Sequence, residues 1–247
     1  MKKYFNALTM CFSMFCAIPS PFKKWDEDAK NHILIFLPLV GAVIGGIWTA
    51  AAYLLRLTNL PGIICAAILT AVPYLLTGGI HFDGFLDVTD AVKSYKSVEE
   101  RVKILKDPNV GSFAVLYAIL LVMVQFSLFA GAKADANIFA LLLIPVISRS
   151  AAALCVTSMK PLGTSEYNKE NPSKTPQAVT LAVILAAGIA AGFIFLGRYG
   201  FVSVAVLAGY CLSLLRAVKS LKGISGDVSG YALTIAEVCG IAVFALI

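Results

Sequence analysis

The residues best suited to chemistry lie in one stretch, GGIHFDGFLDVTDA, at positions 78–91. Asp83, Asp87 and Asp90 stand at i, i+4 and i+7, so on a helix their carboxylates project from one face within about two turns. Like charges at this spacing repel one another, and a bound cation would relieve that repulsion. Mg²⁺ suits the pattern, because it takes oxygen ligands and is typically held by one or two carboxylates plus substrate phosphates.

Glycines surround these acids at Gly78, Gly79 and Gly84. Glycine permits positive φ and the close approach of another chain segment or a ligand. A second interpretation is a solvated helix start, with DGFLDVTD supplying aspartates that cap the positive end of a helix dipole. A cap normally uses one acid, whereas three share a face here, so the pattern favours a metal site.

A second polar cluster, LKGISGDVSGYALTIAEV, lies at residues 221–238. Its residues Ser225, Gly226, Asp227, Ser229 and Gly230 form a small-residue turn that opens an apolar helix, and free backbone N–H groups in such a turn suit phosphate oxygens.

A third piece, LKDPNVG, lies at residues 105–111. By itself it is a turn at which a helix starts. Close to the other two clusters, Lys106 would add a basic group for phosphate, with Asp107 and Gly111 beside it.

Two ionisable residues, Arg149 and Glu237, fall inside apolar segments. Such residues are costly in hydrocarbon, so they mark functional or partnered positions. We expect the two to pair. A purely structural link between helices and a role at the site both stay open.

The elements that must position these residues are membrane helices. Hydrophobic residues make up 59% of the 247 positions, charged residues 14%, and the mean hydropathy is +0.85. Soluble domains average about 45–50% apolar and 25% charged residues, so a water-soluble fold is excluded. The six cysteines show no metal-binding spacing and are interpreted as small buried hydrophobes. The sequence predicts one all-α, polytopic membrane domain over residues 1–247.

Runs of roughly 20 apolar residues, the length that crosses a bilayer, predict about seven transmembrane helices. The expected spans are 33–55, 60–80, 112–131, 137–159, 178–196, 201–215 and 231–247. The segment YFNALTMCFSMFCAIP at 4–19 is too short for a span and lacks a signal-peptidase site, so we expect an interfacial or re-entrant helix.

Lysine and arginine placement predicts the topology, because cytoplasmic loops carry the positive excess. The regions 1–32, 81–111, 160–177 and 216–230 hold five, five, three and three basic residues, whereas the intervening loops hold one each. This alternation predicts a cytoplasmic N-terminus and cytoplasmic active-site loops at 81–111 and 216–230. Because the basic residues follow topology rather than forming an aromatic-interleaved stripe, no nucleic-acid partner is expected.

Carboxylate-held metal without a Walker lysine loop or a Ser-His-Asp set indicates transfer of a phosphoryl-linked group to an alcohol. An ion transporter is the non-enzyme alternative. The acids lie at a span end rather than at the bilayer midplane, which disfavours it.

Several stretches resemble the cobalamin synthase (adenosylcobinamide-GDP ribazoletransferase) family. They are FLPLVGAVIGG at 36–46, GGIHFDGFLDVTDA at 78–91, LKDPNVGSFAV at 105–115, GISGDVSGYALTIAEV at 223–238 and, more weakly, ISRSAAAL at 147–154. The chain departs from the family's usual Gly at Ala91, Thr at Ser225 and Leu-Gly-Ala at 229–231. The serine keeps the hydroxyl, and Tyr231 changes local packing.

The resemblance implies that adenosylcobinamide-GDP and α-ribazole, or its 5′-phosphate, are joined in the inner membrane, with GMP released and Mg²⁺ needed. Together with the spacing of the aspartates, the resemblance suggests roles for the site residues. Asp83, Asp87, Asp90 and Asp227 would hold the metal, with Asp83 and Asp227 also catalytic. His81 would take the hydroxyl proton, donate to phosphate or orient Asp83. Phosphate contacts would come from Gly79, Gly84, Lys106, Asp107, Gly111, Arg149, Ser225 and Gly226, with Glu237 as an additional residue.

A CDP-alcohol phosphotransferase, which also uses clustered aspartates and Mg²⁺, is the main alternative. Its D-x2-D-G-x2-A-R pattern is missing, because Ile80 stands where the first acid would fall and Asp87 where the alanine would. The sequence leaves open whether the chain forms homo-oligomers or joins other nucleotide-loop assembly enzymes.

Overall fold

The computed structural model describes residues 2–19, 25–162 and 174–247. Within these ranges the fold is all-α, as predicted, and contains no strand. The helices are α1 (Lys2–Phe15), α2 (Glu27–Lys30), α3 (Leu37–Arg56), α4 (Gly62–Thr77), α5 (Ile80–Lys93), α6 (Val98–Ile104), α7 (Ser112–Ala130), α8 (Ala140–Ser158), α9 (Lys174–Leu196), α10 (Phe201–Leu221) and α11 (Gly226–Leu246). Short 3-10 turns at Ile33–Phe36 and Gly197–Gly200 precede α3 and α10. Much of the predicted 160–177 loop lies outside the described residues.

Five described stretches are long and apolar enough to cross a membrane, or six when the bent pair α4 and α5 counts as one span. One of the five, Thr175–Leu221, contains both α9 and α10. A multi-pass membrane protein is therefore confirmed, and the predicted count of seven is not. The N-terminal helix α1 exists as expected, and its 14 residues are too few for a span.

Residues 80–93 differ most from the prediction of a loop beginning at 81. They form α5, which leaves α4 at an angle of 93°. Gly78 (φ +62°) and Gly79 (φ +78°) stand at the bend in the left-handed region that disfavours side chains. The bend turns the acid-bearing segment back against the bundle, where it packs on α11 and α7.

The second predicted loop, 216–230, is also shorter than expected. Helix α10 continues to Leu221 and α11 begins at Gly226, so four residues connect them. An isolated parallel bridge joins Ile224 to Pro161, and Leu162 donates a backbone hydrogen bond of 2.7 Å to Ile224. Asp227 therefore lies in the first turn of a helix.

Segments expected on one side of the membrane do meet at one end of the bundle. At the site end, the backbone of Ala17 bonds to Leu76, and Arg101 donates to the Ser220 carbonyl. At the opposite end, Arg56 donates to the Ala136 carbonyl at 2.6 Å. The pairing agrees with the alternation of loops inferred from the basic residues.

Helix α8 forms the centre of the bundle and contacts α3, α9, α10 and α11. Thirteen of its nineteen residues are buried. A side chain at Gly45 of α3 would collide with the Leu142 backbone, 2.6 Å from its carbonyl oxygen. Small residues thus let two membrane helices approach closely, which is how such helices gain packing energy without a hydrophobic drive.

Candidate functional site

The site is built where α5 crosses the start of α11. A β-carbon on Gly84 would lie 2.8 Å from the Asp227 carbonyl oxygen, and one on Gly230 would lie 3.2 Å from the His81 carbonyl oxygen. The Thr234 hydroxyl donates to that His81 carbonyl at 3.1 Å. Two glycines and one hydroxyl therefore fix the distance between the two acid-bearing segments, which are about 140 residues apart in sequence.

An aromatic pair, one ring from α5 and one from α11, packs at the same crossing. The rings of Phe85 and Tyr231 stack with centroids 5.7 Å apart and planes 10° apart. Phe82 extends the stack on the α5 side. Tyr231 is therefore accommodated by packing against Phe85.

Four carboxylates converge at this crossing. Asp83 and Asp227 are exposed, while Asp87 is half-buried and lies close enough to Asp83, Asp227 and Asp90 for each to repel its charge. Among the described residues none of these four carboxylates forms an ion pair. The structure brings Asp227 close to the α5 acids, and an uncompensated negative patch results.

The four acids do not form a complete metal cage. Within the described ranges, no group of three or more histidine, cysteine, aspartate or glutamate side chains is placed to hold a metal ion together. The donors are hard carboxylate oxygens, the type that Mg²⁺ prefers, and Mg²⁺ usually keeps several waters and uses substrate phosphates for the rest. The donor chemistry fits Mg²⁺ held jointly with a diphosphate rather than by protein alone.

Asp90 has a different role from its neighbours. Its carboxylate accepts the backbone N–H of Ala114 at 2.8 Å and that of Gly111 at 2.5 Å. Gly111 has no room for a side chain, because a β-carbon there would overlap the Asp90 carboxylate. Asp90 thus caps the N-terminus of α7, a different helix from the one that DGFLDVTD would start in the alternative interpretation.

The α11 N-terminus presents an open turn beside the acids. The Ser225 hydroxyl accepts the Val228 N–H at 3.2 Å and so caps the helix. Gly226 is exposed, with nothing within 4 Å of a β-carbon built on it. Its backbone N–H belongs to the first turn, where the partial positive charge of a helix favours anions.

His81 lies deeper than its neighbours. Its ring stacks on Phe15 of α1, with centroids 5.9 Å apart and planes 11° apart. Nε2 is buried and has no hydrogen-bond partner among the described residues.

Gly79 is the N-cap residue of α5. Its carbonyl oxygen accepts the backbone N–H of Asp83 at 2.8 Å.

A cavity of about 160 Å³ opens between His81 and the start of α11. Its polar lining comes from His81, Ser225, Asp227 and Ser229, and the remainder is mostly apolar. The apolar lining includes Phe15, Leu34, Leu37, Ala152, Val156 and Ile224. The cavity therefore joins the carboxylate patch to an apolar interior.

Arg149 and Glu237 pair inside the bundle, as predicted. Arg149 Nη1 lies 2.6 Å from Glu237 Oε1, and the Ser148 hydroxyl donates to the same oxygen at 3.0 Å. The Arg149 side chain is fully buried. The pair borders a cavity of about 20 Å³ that His81 and Thr234 also line, so the arginine side chain lies inside the bundle.

The 105–111 segment lies at the edge of the site. Lys106 and Asp107 are exposed, and hydrogen bonds from the Asn109 backbone and side-chain amides lower the pKa of Asp107. The structure brings Gly111 to Asp90 and shows no contact of Lys106 or Asp107 with the four carboxylates.

Sequence reasoning missed Phe15 and Thr234, and it placed Ser229 in the small-residue turn without a contact of its own. The Ser229 hydroxyl bonds the Tyr210 hydroxyl at 2.9 Å, and both groups are buried. No sequence signal pointed to Phe15, because its contact with His81 arises only once α4 and α5 bend. The serine and threonine did lie within the second polar cluster and its helix.

The fold and site define a multi-pass helical membrane protein with a carboxylate-lined site at one end of the bundle. The chain belongs to the cobalamin-5-phosphate synthase family, whose sequence profile matches residues 7–245. It is 35% identical to the adenosylcobinamide-GDP ribazoletransferase of Clostridium perfringens strain 13 across 100% of both chains. Enzymes of the same name from Lachnoclostridium phytofermentans and Clostridium botulinum strain Alaska E43 are 32% and 30% identical, covering 98% of this chain and 94% and 97% of theirs. No solved structure matches.

Proposed function

We propose that this protein is an adenosylcobinamide-GDP ribazoletransferase, which joins adenosylcobinamide-GDP to α-ribazole or its 5′-phosphate and releases GMP. The observation that carries the proposal is the meeting of the α5 acids with Asp227 at the mouth of a part-apolar cavity, in a chain of this family. The CDP-alcohol phosphotransferase alternative is not favoured, because the family profile runs from residue 7 to residue 245.

In the reaction, a ribose hydroxyl oxygen forms a bond to the phosphorus on the cobinamide arm. The bond from that phosphorus to the bridging oxygen breaks, GMP leaves with the electron pair, and the hydroxyl proton goes to a base. Asp83 and Asp227 are exposed at the patch and are candidates for that base. A hydroxyl attacking an activated phosphorus requires no strong base.

One or two of the carboxylates of Asp83, Asp87 and Asp227 would hold Mg²⁺ together with diphosphate oxygens, while Asp90 caps α7. When bound, Mg²⁺ supplies positive charge where charge develops on the leaving phosphate. The N–H groups of the first turn of α11, at Gly226, would orient the diphosphate. Because the patch carries no ion pair within the described residues, the diphosphate requires a cation in order to bind there.

We further propose that the site faces the cytoplasm of the inner membrane, with the N-terminus on the same side. The support is the excess of basic residues in the segments that meet at the site end. Cysteine labelling from outside should fail at position 96 and succeed at position 133, and the reverse pattern would overturn this orientation.

The activity is tested with purified protein, adenosylcobinamide-GDP, α-ribazole and Mg²⁺. GMP release that requires both α-ribazole and Mg²⁺ is the expected result. GMP release without α-ribazole, or no release with the complete mixture, would overturn the proposal. An Asp83→Ala variant is assayed alongside and should be on the order of 100-fold slower; Asp83 is exposed, so its loss should leave the packing intact.

A further inference from the structure

The cavity beside His81 differs in character from the carboxylate patch that it joins. Leu34, Leu37, Ala152 and Val156 form part of an apolar wall, and Phe15 adds an aromatic ring. The lining also includes Ser225 and Asp227, the latter one of the four acids of the patch. A ligand with an apolar body and a polar end that reacts at the patch would match this lining.

Few hydrogen-bonding groups are free inside the cavity. The Ser229 hydroxyl bonds Tyr210, and the Ser225 hydroxyl caps α11. His81 Nε2 has no partner within the described ranges, but it is buried in the protein and is not accessible from the cavity. The lining therefore offers hydrogen bonds mainly near Ser225 and Asp227, and it suits an otherwise apolar group because buried polar groups without partners are costly.

The groups carried by the two substrates differ in how they meet these limits. Guanine has donors and acceptors along its whole edge, and the apolar wall would leave unpaired those that lie away from Ser225 and Asp227. A corrin ring with its amide side chains exceeds a cavity of about 160 Å³. The benzimidazole base of α-ribazole is flat, mostly C–H and methyl at its edge, and has a ring nitrogen in addition to the one attached to ribose.

We propose, on the basis of the proposed function, that this cavity binds the aromatic base of α-ribazole. With the base against Leu34 and Ala152, the ribose lies at the Ser225 and Asp227 end, and its hydroxyl is directed to the carboxylate patch. The patch holds the diphosphate of the other substrate. The apolar cavity thus selects α-ribazole, the acceptor substrate, and the acids bind the diphosphate of adenosylcobinamide-GDP, the donor substrate.

The test compares Leu34→Ala with the matched control Leu207→Ala, a half-buried leucine on α10 that does not line the cavity. Binding of radiolabelled α-ribazole to purified protein is measured by equilibrium dialysis without adenosylcobinamide-GDP, and KM is measured separately for each substrate. We expect Leu34→Ala to weaken α-ribazole binding and raise its KM about tenfold, since apolar contacts of this size are worth about 10- to 200-fold. The KM for adenosylcobinamide-GDP should stay within about twofold.

A second variant, Ala152→Val, narrows the cavity without depending on the first. It should weaken binding of the dimethylbenzimidazole riboside more than binding of the unsubstituted benzimidazole riboside. Equal effects of Leu34→Ala and Leu207→Ala, or a parallel rise of both KM values, would overturn the base site.

The two proposals can fail separately. Wild-type protein that binds α-ribazole in a Leu34-dependent manner but releases no GMP would support the base site and overturn the proposed function. Protein that transfers ribazole while α-ribazole binding is unaffected by Leu34→Ala and Ala152→Val would support the function and overturn the base site.

Discussion

Gly84 of α5 lies directly against the backbone of Asp227, so closely that a β-carbon on residue 84 would stand 2.9 Å from the Asp227 α-carbon. This contact joins two segments far apart in the chain and sets the separation of their carboxylates. A glycine is required because the neighbouring atoms are backbone, which cannot move aside as a flexible side chain can.

Replacing Gly84 with alanine should therefore push α11 away from α5. We expect a loss of about 1–3 kcal/mol in unfolding free energy, as for overpacking elsewhere, and at least about a tenfold fall in GMP release. Thermal unfolding in detergent and the transfer assay check this. Gly46→Ala is the control, because Gly46 is also helical but has nothing within 4 Å of the position that an added methyl group would take. Equal behaviour of the two variants would contradict the tight crossing.

Asp83 and Asp90 should respond differently to alanine, although they stand on one face of α5. Asp90→Ala removes the acceptor for two α7 N–H groups and should cost about 1–2 kcal/mol of stability, as for other lost caps. Asp83→Ala, at an exposed position, should change stability by less than about 0.5 kcal/mol.

The loss of activity, unlike the loss of stability, should be larger for Asp83→Ala than for Asp90→Ala. The loss of Asp83 removes a carboxylate from the proposed metal and diphosphate site, so transfer should fall on the order of 100-fold and depend more steeply on Mg²⁺. Asp90→Asn, which keeps one acceptor oxygen, should retain part of both stability and activity. A Mg²⁺ titration of all three variants, with thermal unfolding alongside, provides the measurement. Wild-type rates for Asp83→Ala would remove that residue from the site.

Acid should weaken the contact between the N-terminal region and α9. Gln177 Nε2 donates to the Asn31 carbonyl at 2.9 Å and lies 2.7 Å from His32 Nδ1, which must be unprotonated to accept. Burial lowers the pKa of His32, with the charge of nearby Lys3 acting in the same direction, and the Tyr4 ring covers the imidazole.

Because the folded-state pKa lies below the unfolded value of about 6.5, stability is full above that pH and falls as the unfolded chain takes up a proton below it. Thermal midpoints at pH 8 and pH 5 should therefore differ more for the wild type than for His32→Asn, which has no titrating ring. His81 is the only other histidine and is present in both proteins. The same pH dependence in both would show that His32 contributes nothing to it.

Local spacing in the sequence was enough to predict the acid face of α5, and the cost of charge in hydrocarbon was enough to predict that Arg149 and Glu237 pair. The first rule depends only on residues within about two helical turns, and the second only on the burial of charged side chains. The bend at Gly78 and Gly79 was not foreseen, because a predicted span of 60–80 satisfied the length rule and hid the end of α4 at Thr77. The cap made by Asp90 and the stacking of Phe15 on His81 both follow from that bend, so they could not be predicted without it.

The Arg149–Glu237 pair provides the last prediction. Removing one partner leaves the other charge buried, so Glu237→Gln and Arg149→Met should each destabilise the protein by about 3–5 kcal/mol. The double variant should be less destabilised than the sum of the two single changes, because neither charge is then left without its partner. Glu27→Gln is the control: Glu27 is 73% exposed and lies 3.6 Å from Lys30, so its loss should cost no more than about 1 kcal/mol. Unfolding of the wild type, the two single variants and the double variant in one detergent completes the cycle, with Glu27→Gln measured alongside. Additive losses would mean that the two side chains contribute independently, despite the 2.6 Å between them.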